Sequence, residues 1–242
     1  MNKEQIFDQS KRTKVKYKMN QSPMKNCHKI LFLILISFVT QAQKSEVDFQ
    51  TRPAITLNLD LPKGWEVSTQ YRAKFNQNSS NYRGSYFYLD VDKKLNQYLS
   101  ASVGYRFGLV EGEKFNRFSG SLEGKYKYKR LTFSLRELYQ TQSQIISDDD
   151  EGTAENYLRS RFGLKYSISK RLDFGISTEP FMHKKDGVFE TDFWRNRAGI
   201  TYEYMKNKSV NLFYIWQPDV NKKYPDTKNI FGINFIFGLK VK

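Results

Sequence analysis

Regular alternation of apolar and polar side chains between Tyr157 and Pro180 limits the folds open to this chain more than any other feature. One face is mainly apolar and carries Leu158, Phe162, Leu164, Tyr166, Leu172, Phe174 and Ile176. The other face is polar and carries Arg159, Arg161, Lys165, Asp173, Gly175, Ser177 and Glu179. A period of two residues indicates β-strands, which the turn at Ser167 to Arg171 joins as a hairpin. Charge on one face and aromatic residues on the other are typical of a barrel with lipid outside and a polar lumen.

The same alternation recurs along the chain and predicts eleven strands. Besides the two in this hairpin, the candidates are Arg52 to Leu61, Trp65 to Phe75, Arg83 to Leu95, Tyr98 to Leu109, Asn116 to Tyr128, Leu131 to Gln142, Thr191 to Tyr204, Ser209 to Gln217 and Lys228 to Val241. Each is close to the length that crosses a membrane obliquely, about 9 to 11 residues. No helical pattern or linker interrupts them.

The connections between these strands alternate between short and long. The long ones are Asn76 to Tyr82, Val110 to Phe115, Ser143 to Glu155, Phe181 to Glu190 and Pro218 to Thr227. Short periplasmic turns and longer outer loops are typical of outer-membrane barrels. With the long loops outside, the last strand ends in the periplasm.

An odd strand count conflicts with the even number usual in single-chain bacterial barrels. Two adjustments would restore an even number. Either Ser45 to Thr51 adds a short strand and makes twelve, which we favour, or Arg52 to Leu61 lies outside the closed sheet and leaves ten. The predicted fold is therefore all-β, a single antiparallel transmembrane β-barrel of 10 to 12 strands formed by residues 43–242.

The N-terminal region has the composition of a leader. Residues 24–42 combine lysines, an apolar run from Ile30 to Val39 and the small-residue site Thr40-Gln41-Ala42, which predicts a secretory signal peptide. We expect residues 1–23 to be a disordered leader or an over-called start. Without residues 1–42, which hold eight Lys/Arg and two Asp/Glu, the formal charge falls from +15 to +9. Because the remaining basic residues are dispersed, nucleic-acid binding is disfavoured.

The order of several segments resembles a known family. The segments are LPKGWEVSTQYRAKF, YLSASVGYRFG, YLRSRFGLKYSISKRLDF, NRAGITYEYMKNKSVNLFYIW and FGINFIFGL, preceded by a signal ending in Ala42-Gln43. Together they are similar to an uncharacterised family of bacterial outer-membrane β-barrel proteins, catalogued as a domain of unknown function. The resemblance covers nearly all of the chain after the signal. It implies the fold and the location and brings no catalytic residues.

Few residues point to catalysis or to a cofactor. His183 is the one histidine after the signal, and we expect it to be a solvated loop residue without a serine partner. The acidic run from Asp148 to Glu151 lacks calcium-loop spacing and is predicted to be a solvated loop tip. The cysteine, Cys27, precedes the apolar run and does not support lipidation. We therefore expect no enzyme activity, no metal and no cofactor.

Charged residues on the inward faces are the candidate functional set. They are Arg72, Arg106, Arg136, Arg159, Arg161, Arg195 and Arg197, with Glu66, Asp90, Asp92, Glu123, Asp173, Glu179 and Glu203. Unpaired buried charges are costly, so these residues are expected to pair into ion-pair ladders that fill a narrow lumen. The alternative interpretation is a selectivity lining or a polar ligand site.

Two functional classes remain open. One is a small-solute pore or transport-related barrel with a narrow charged lumen, and the other is a structural or surface-interaction barrel without transport. An envelope enzyme and a soluble periplasmic β-protein are less favoured. The expected partners are outer-membrane lipid and, during insertion, the barrel-assembly machinery, and the expected location is the bacterial outer membrane. The sequence does not indicate an oligomeric state.

Overall fold

The computed structural model describes residues 47–147, 150–151, 154–222 and 225–241, which belong to one compact unit beginning at Ser45. The predicted leader and signal peptide, residues 1–42, lie outside the described residues. Eleven long strands and one two-residue strand make up the fold. They are β1 (Val47–Leu61), β2 (Trp65–Asn76), β3 (Asn81–Lys94), β4 (Leu99–Val110), β5 (Glu113–Tyr128), β6 (Leu131–Ser147), β7 (Asp150–Glu151), β8 (Glu155–Ser167), β9 (Leu172–Lys185), β10 (Val188–Met205), β11 (Lys208–Pro218) and β12 (Thr227–Lys240).

The sheet closes on itself as a barrel. Each long strand pairs antiparallel with the next one along the chain, β6 pairing directly with β8, while β7 is a short addition to β6. The barrel is completed by a parallel pair, β1 with β12, whose register runs from Val47 opposite Thr227 to Asp60 opposite Lys240. The predicted all-β membrane-type barrel is thus confirmed as a closed barrel of eleven long strands.

The expected adjustment to an even strand number is wrong in both of its forms. Residues 47–51 form no separate strand but continue into β1, and Arg52 to Leu61 pairs with strands on both sides. A parallel closing pair is only slightly less stable per residue than an antiparallel one. The long β1–β12 register therefore lets eleven strands close without a twelfth.

The pairing register also fixes the tilt of the strands. Following paired residues once around the barrel from Leu61 leads back to β1 at Val47, fourteen residues earlier in that strand. A stagger this large for eleven strands requires a strong tilt to the barrel axis, of the order of 40°. At any one level of the lumen, neighbouring strands therefore contribute residues that lie at different positions along each strand.

The barrel has two rims, which we name by the chain ends that lie there. The N-terminal rim holds the start of β1, the turns 77–80, 111–112 and 186–187, and the described connecting residues 154, 219–222 and 225–226. The C-terminal rim holds the end of β12 and the connections 62–64, 95–98, 129–130, 168–171 and 206–207. One 3-10 turn, Pro62–Gly64, is present in the described part of the chain and lies at the C-terminal rim.

Two of the long loops predicted for the N-terminal rim are in fact strand. The backbone turns at Glu111-Gly112 and at Asp186-Gly187, and all four of these residues have positive φ. Such two-residue turns match the twist of the flanking strands, so the hairpins extend beyond the predicted spans. The long strands accordingly have 11 to 18 residues, and several are longer than the spans predicted from the sequence.

The outer face is apolar and aromatic, as the alternation predicts. Outward side chains include Phe87, Leu89, Val103, Phe118, Phe162 and Ile176, each 46% to 63% exposed on the isolated chain. The two faces of the Tyr157 to Pro180 hairpin also lie as expected, since Phe162 is exposed and Arg159 is buried. Among the described residues, no helix is long and apolar enough to cross a membrane.

Candidate site in the barrel lumen

The lumen contains a cavity of about 480 Å³ with a strongly cationic wall. Twelve Arg or Lys side chains line it, and only two carboxylates do, Asp90 and Glu179. The cavity reaches from Arg83 and Lys228, near the N-terminal rim, to the level of Ser68 and Asp90. Its volume lies within the range of small-molecule sites.

All seven arginines of the predicted lumen set lie on this wall. They are Arg72, Arg106, Arg136, Arg159, Arg161, Arg195 and Arg197. Three further arginines, Arg52, Arg83 and Arg117, also line the cavity but were missed from the sequence. Arg52 and Arg117 stand on the polar faces of recognised strands, so the same alternation could have found them. Arg83 lies at a register shift between β2 and β3, which alternation alone does not reveal.

The predicted carboxylates divide into two groups. Asp90 and Glu179 line the cavity, whereas Glu66, Asp92, Glu123, Asp173 and Glu203 do not. Glu66 and Asp173 are the second residues of β2 and β9, directly after turns of the C-terminal rim. Asp92 and Glu203 come two residues before their strands end at that rim. Acidic residues are thus concentrated near the C-terminal rim, and arginines concentrate farther along the lumen.

Four arginines surround two tyrosines on the wall formed by β1 to β5. We call Arg52, Arg72, Arg106 and Arg117, with Tyr86 and Tyr88, the Tyr88 cluster. Arg72 donates to the Tyr88 hydroxyl (Nη1 to Oη, 3.2 Å) and lies over its ring, 4.9 Å from the centroid. Arg106 lies 4.8 Å from the centroid of the Tyr86 ring. Arg106 and Arg117 occupy directly opposite positions on β4 and β5.

Neutral side chains accept the other hydrogen bonds that these four arginines donate. Arg52 donates to Gln50 (3.1 Å), and Arg72 donates to Gln70 (2.5 Å). Arg106 donates to Gln142, and Arg117 to Gln140 (3.3 Å). None of the four forms an ion pair with a carboxylate of the described chain. An amide oxygen orients a guanidinium group but leaves its charge unneutralised.

A second arginine cluster, on β6 to β10, has a carboxylate at its centre. We call Arg136, Arg159 and Arg195, with Glu179 and Phe181, the Glu179 cluster. Glu179 is 4% exposed and accepts from Arg136 Nη2 (2.7 Å) and Arg159 Nη2 (3.0 Å). The Phe181 ring lies between Arg159 and Arg195, whose guanidinium carbons are 4.0 and 4.2 Å from its centroid. This geometry combines charge-assisted hydrogen bonds with cation–π contacts.

Gln140 connects the two clusters. Its side-chain oxygen accepts both from Arg117 (3.3 Å) and from Arg159 (2.9 Å), and the residue is 4% exposed. Arg195 of the Glu179 cluster and Arg52 and Arg72 of the Tyr88 cluster line the same cavity. The two clusters therefore act on one shared space.

Two aromatic rings lie flat against the barrel wall where a neighbouring strand has glycine. A Cβ atom added to Gly108 would come within 2.9 Å of the Tyr86 ring, and one added to Gly232 within 2.0 Å of the Phe213 ring. Arg197 lies on the lumen side of Phe213, 4.0 Å from its centroid, and donates to Asn211 (2.6 Å). Glycine thus makes room for a ring beneath an arginine, and the guanidinium group is left facing the cavity.

The predicted ion-pair ladders are present only in part. Arginines of the predicted set pair with carboxylates at Glu179 and at Glu123, the latter accepting from Arg161 (3.1 Å). Asp173 pairs instead with Lys165 (3.2 Å), and Glu203 accepts a hydrogen bond from the Asn207 backbone (3.1 Å). The ladders are incomplete because most carboxylates lie nearer the C-terminal rim than the arginines do.

The expected loop position of His183 is wrong. His183 is in β9, its ring stacks on Tyr157 with centroids 4.7 Å apart, and its Nδ1 lies 3.6 Å from an Asp192 oxygen. A hydrogen bond from Lys185 to Asp192 (2.8 Å), beside the hairpin tip, raises the pKa of Lys185. The described contacts of His183 include no serine hydroxyl.

The acidic run from Asp148 to Glu151 is only partly the loop tip that was expected. Asp150 and Glu151 form β7 and pair with β6, while Asp148 and Asp149 lie outside the described residues. Within the described ranges, no group of three or more His, Cys, Asp or Glu residues could hold a metal ion.

The closed barrel, its apolar outer face and its charged lumen define an outer-membrane-type β-barrel. The chain belongs to the family described as "Protein of unknown function (DUF2490)", whose sequence pattern matches residues 49–227. This confirms the resemblance to an uncharacterised outer-membrane barrel family. A comparison with curated protein sequences finds no match.

The chain is similar to solved structures, among them a porin. The NanC porin is similar at a TM-score of 0.54 and 15% sequence identity, and the match covers 79% of this chain and 99% of that porin. OccAB4 of Acinetobacter baumannii has a TM-score of 0.34 at 12% identity, over 68% of this chain and 49% of that protein. At these identities the likeness to the NanC porin concerns the fold alone.

Proposed function

We propose that this protein is a pore or transport-related barrel of the bacterial outer membrane that passes small anionic solutes and performs no catalysis. The observation that carries the proposal is the charge of the cavity wall, where twelve cationic side chains face two carboxylates. A cleft lined by one sign of charge within low-dielectric walls concentrates ions of the opposite sign. The NanC porin is a porin by name, and its similar fold supports a pore role here.

The arrangement of the arginines supports selectivity rather than simple wall filling. A lumen filled for stability alone would favour balanced ion pairs, because each unpaired charge carries a desolvation cost. The Tyr88 cluster instead leaves four guanidinium groups without a carboxylate. We expect these groups to form an anion-attracting constriction.

The lumen is also narrow. Barrels of about eight strands are filled by their side chains, and wide aqueous channels appear at about sixteen. Eleven strands lie between these limits, and long arginine side chains occupy the interior. We therefore expect small single-channel currents, far below those of a general diffusion porin.

Ion selectivity in planar bilayers tests the proposal directly. A reversal potential measured in a potassium chloride gradient should show preference for chloride over potassium. Arg72→Gln with Arg117→Gln should reduce this preference. Arg130→Gln with Arg171→Gln, which removes the same charge at turns of the C-terminal rim, should leave it nearly unchanged. Cation preference in the unmodified protein would contradict the proposal, and a complete lack of current would favour the structural or surface-interaction class.

A second variant tests whether arginine side chains limit the current. Arg159→Ala with Arg161→Ala removes two long side chains and leaves Glu179 and Glu123 with fewer cationic partners. Conductance should rise and anion preference should fall. An unchanged conductance would show that the constriction lies elsewhere in the lumen.

A further inference from the structure

We infer that the Tyr88 cluster binds a compact multivalent oxyanion of the phosphate type, either free or as the phosphoryl group of a larger solute. The inference rests on the proposed function and names the solute class that this part of the lumen fits. Four arginines from four different strands converge there, and none of them forms an ion pair with a carboxylate of the described chain.

The positions of Arg106 and Arg117 work against stability unless an anion is present. They are directly opposite one another on paired strands, where like charges destabilise a sheet. Arg136 and Arg161 are also directly opposite, on β6 and β8, but Glu179 and Glu123 neutralise that pair. The comparison identifies what the Tyr88 cluster lacks, which is negative charge.

Unused hydrogen-bond donors at the same place indicate a missing acceptor. The Nε atoms of Arg52, Arg72, Arg106 and Arg117 are all buried without a hydrogen-bond partner. Buried donors are nearly always satisfied in folded proteins, and an unsatisfied one is costly. The Nε atoms of Arg136 and Arg159 are also unpartnered, but those two arginines already have Glu179 as an anionic acceptor.

The number and directions of the donors select the chemical class. Four unneutralised guanidinium groups call for more than one negative charge. Their donors approach from four strands, and a tetrahedral oxyanion presents oxygens in several directions, whereas a carboxylate presents two oxygens in one plane. Guanidinium groups bind phosphate oxygens in bidentate pairs. The Tyr88 hydroxyl already accepts one hydrogen bond from these arginines, the one that Arg72 donates.

Binding to the purified, folded barrel in detergent tests the inference. Titration calorimetry with inorganic phosphate and with sulfate should show binding at least about tenfold tighter than with acetate or chloride. Arg106→Gln with Arg117→Gln should weaken phosphate binding by at least about tenfold. Arg130→Gln with Arg171→Gln should leave phosphate affinity unchanged. No binding of phosphate, equal binding of acetate, or an equal loss in both double variants would overturn the inference.

Thermal unfolding supplies an independent measurement. Without phosphate, Arg106→Gln with Arg117→Gln should melt at a higher temperature than the unmodified protein, because the like-charge contact is removed. Phosphate should raise the melting temperature of the unmodified protein and not that of the double variant. A double variant that phosphate still stabilises equally would overturn the inference.

The outcomes separate this inference from the proposed function. An anion-selective current without phosphate binding would overturn the oxyanion site and leave the anion pore standing. Phosphate binding with a cation-selective current would overturn the anion pore and leave the oxyanion site standing.

Discussion

The two arginine clusters of the lumen stabilise their positively charged side chains with different partners. The Glu179 cluster holds its arginines around a buried carboxylate, whereas the Tyr88 cluster holds its arginines with amides, a phenol and aromatic faces. In the Glu179 cluster the chain itself supplies the negative charge. The second arrangement orients the cations and leaves their charge available. The difference shows which wall is structural support and which wall is open to a solute.

Removal of the central carboxylate should have the largest effect on stability. Glu179→Gln leaves the buried Arg159 and the half-buried Arg136 without an anion, and breaking a buried ion pair in this way typically costs about 3 to 5 kcal/mol. Chemical denaturation followed by tryptophan fluorescence would measure this loss. Asp90→Asn is the matched control, because Asp90 lines the same cavity and makes no ion pair with a described residue. If both variants lost the same stability, the Glu179 cluster would not be the paired wall.

The next effect tests whether the clusters face a lumen at all. Val103 is 63% exposed on the outer face, and Ser102 on the same strand is hydrogen-bonded to Ser121 (2.6 Å). Val103→Arg should therefore destabilise the protein in lipid by about 2 to 4 kcal/mol, as for arginine on a lipid-facing position. Ser102→Arg should be much milder. Equal losses in a lipid-reconstituted unfolding assay would reverse the assignment of the two faces.

A single substitution can convert one cluster into the other type. Gln140 accepts from both Arg117 and Arg159, so Gln140→Glu would supply the Tyr88 cluster with a carboxylate. Replacing a neutral acceptor by a charged one should stabilise the barrel by about 1 kcal/mol. It should also lower anion preference in bilayers. Gln142→Ala, which removes the acceptor of Arg106 without adding charge, serves as the control and should not stabilise the protein.

The smallest expected effect is on stability, and it comes from the same substitution made at one arginine of each cluster. The two variants should change stability in opposite directions. Arg117→Gln should stabilise the unliganded protein by up to about 1 kcal/mol, because it relieves the like-charge contact with Arg106. Arg159→Gln should instead destabilise it, because Glu179 loses a partner. Unfolding midpoints of the two variants that moved in the same direction would remove the distinction between the clusters.

Much of this architecture could be predicted from the sequence because alternation is a local property. Which side of a strand Arg159 or Phe162 occupies depends only on its neighbours along the chain, and the structure confirms those faces. The same rule applied to Arg52 and Arg117 would have found two of the three cavity arginines that were missed.

What could not be predicted depends on distant pairing. The level of a side chain along the barrel axis is set by the register of every strand pair and by the total stagger, which no local pattern encodes. For this reason the carboxylates Glu66 and Asp173 seemed available to the arginines, although they lie near the C-terminal rim. The odd number of strands in the closed barrel was not expected for a similar reason. Only the β1–β12 register reveals that the barrel closes through a parallel pair.

The parallel pair between β1 and β12 determines which compartment each end of the barrel domain can reach. An odd number of long strands, eleven, carries the chain from one rim to the other, so Val47 and Lys240 lie at opposite rims. In the orientation expected from the sequence, with the N-terminal rim outside, a peptide fused before β1 would be displayed to the surroundings, while one fused after β12 would be held in the periplasm. The two ends of the barrel domain are therefore separate attachment points, and a partner bound at one end cannot reach the other.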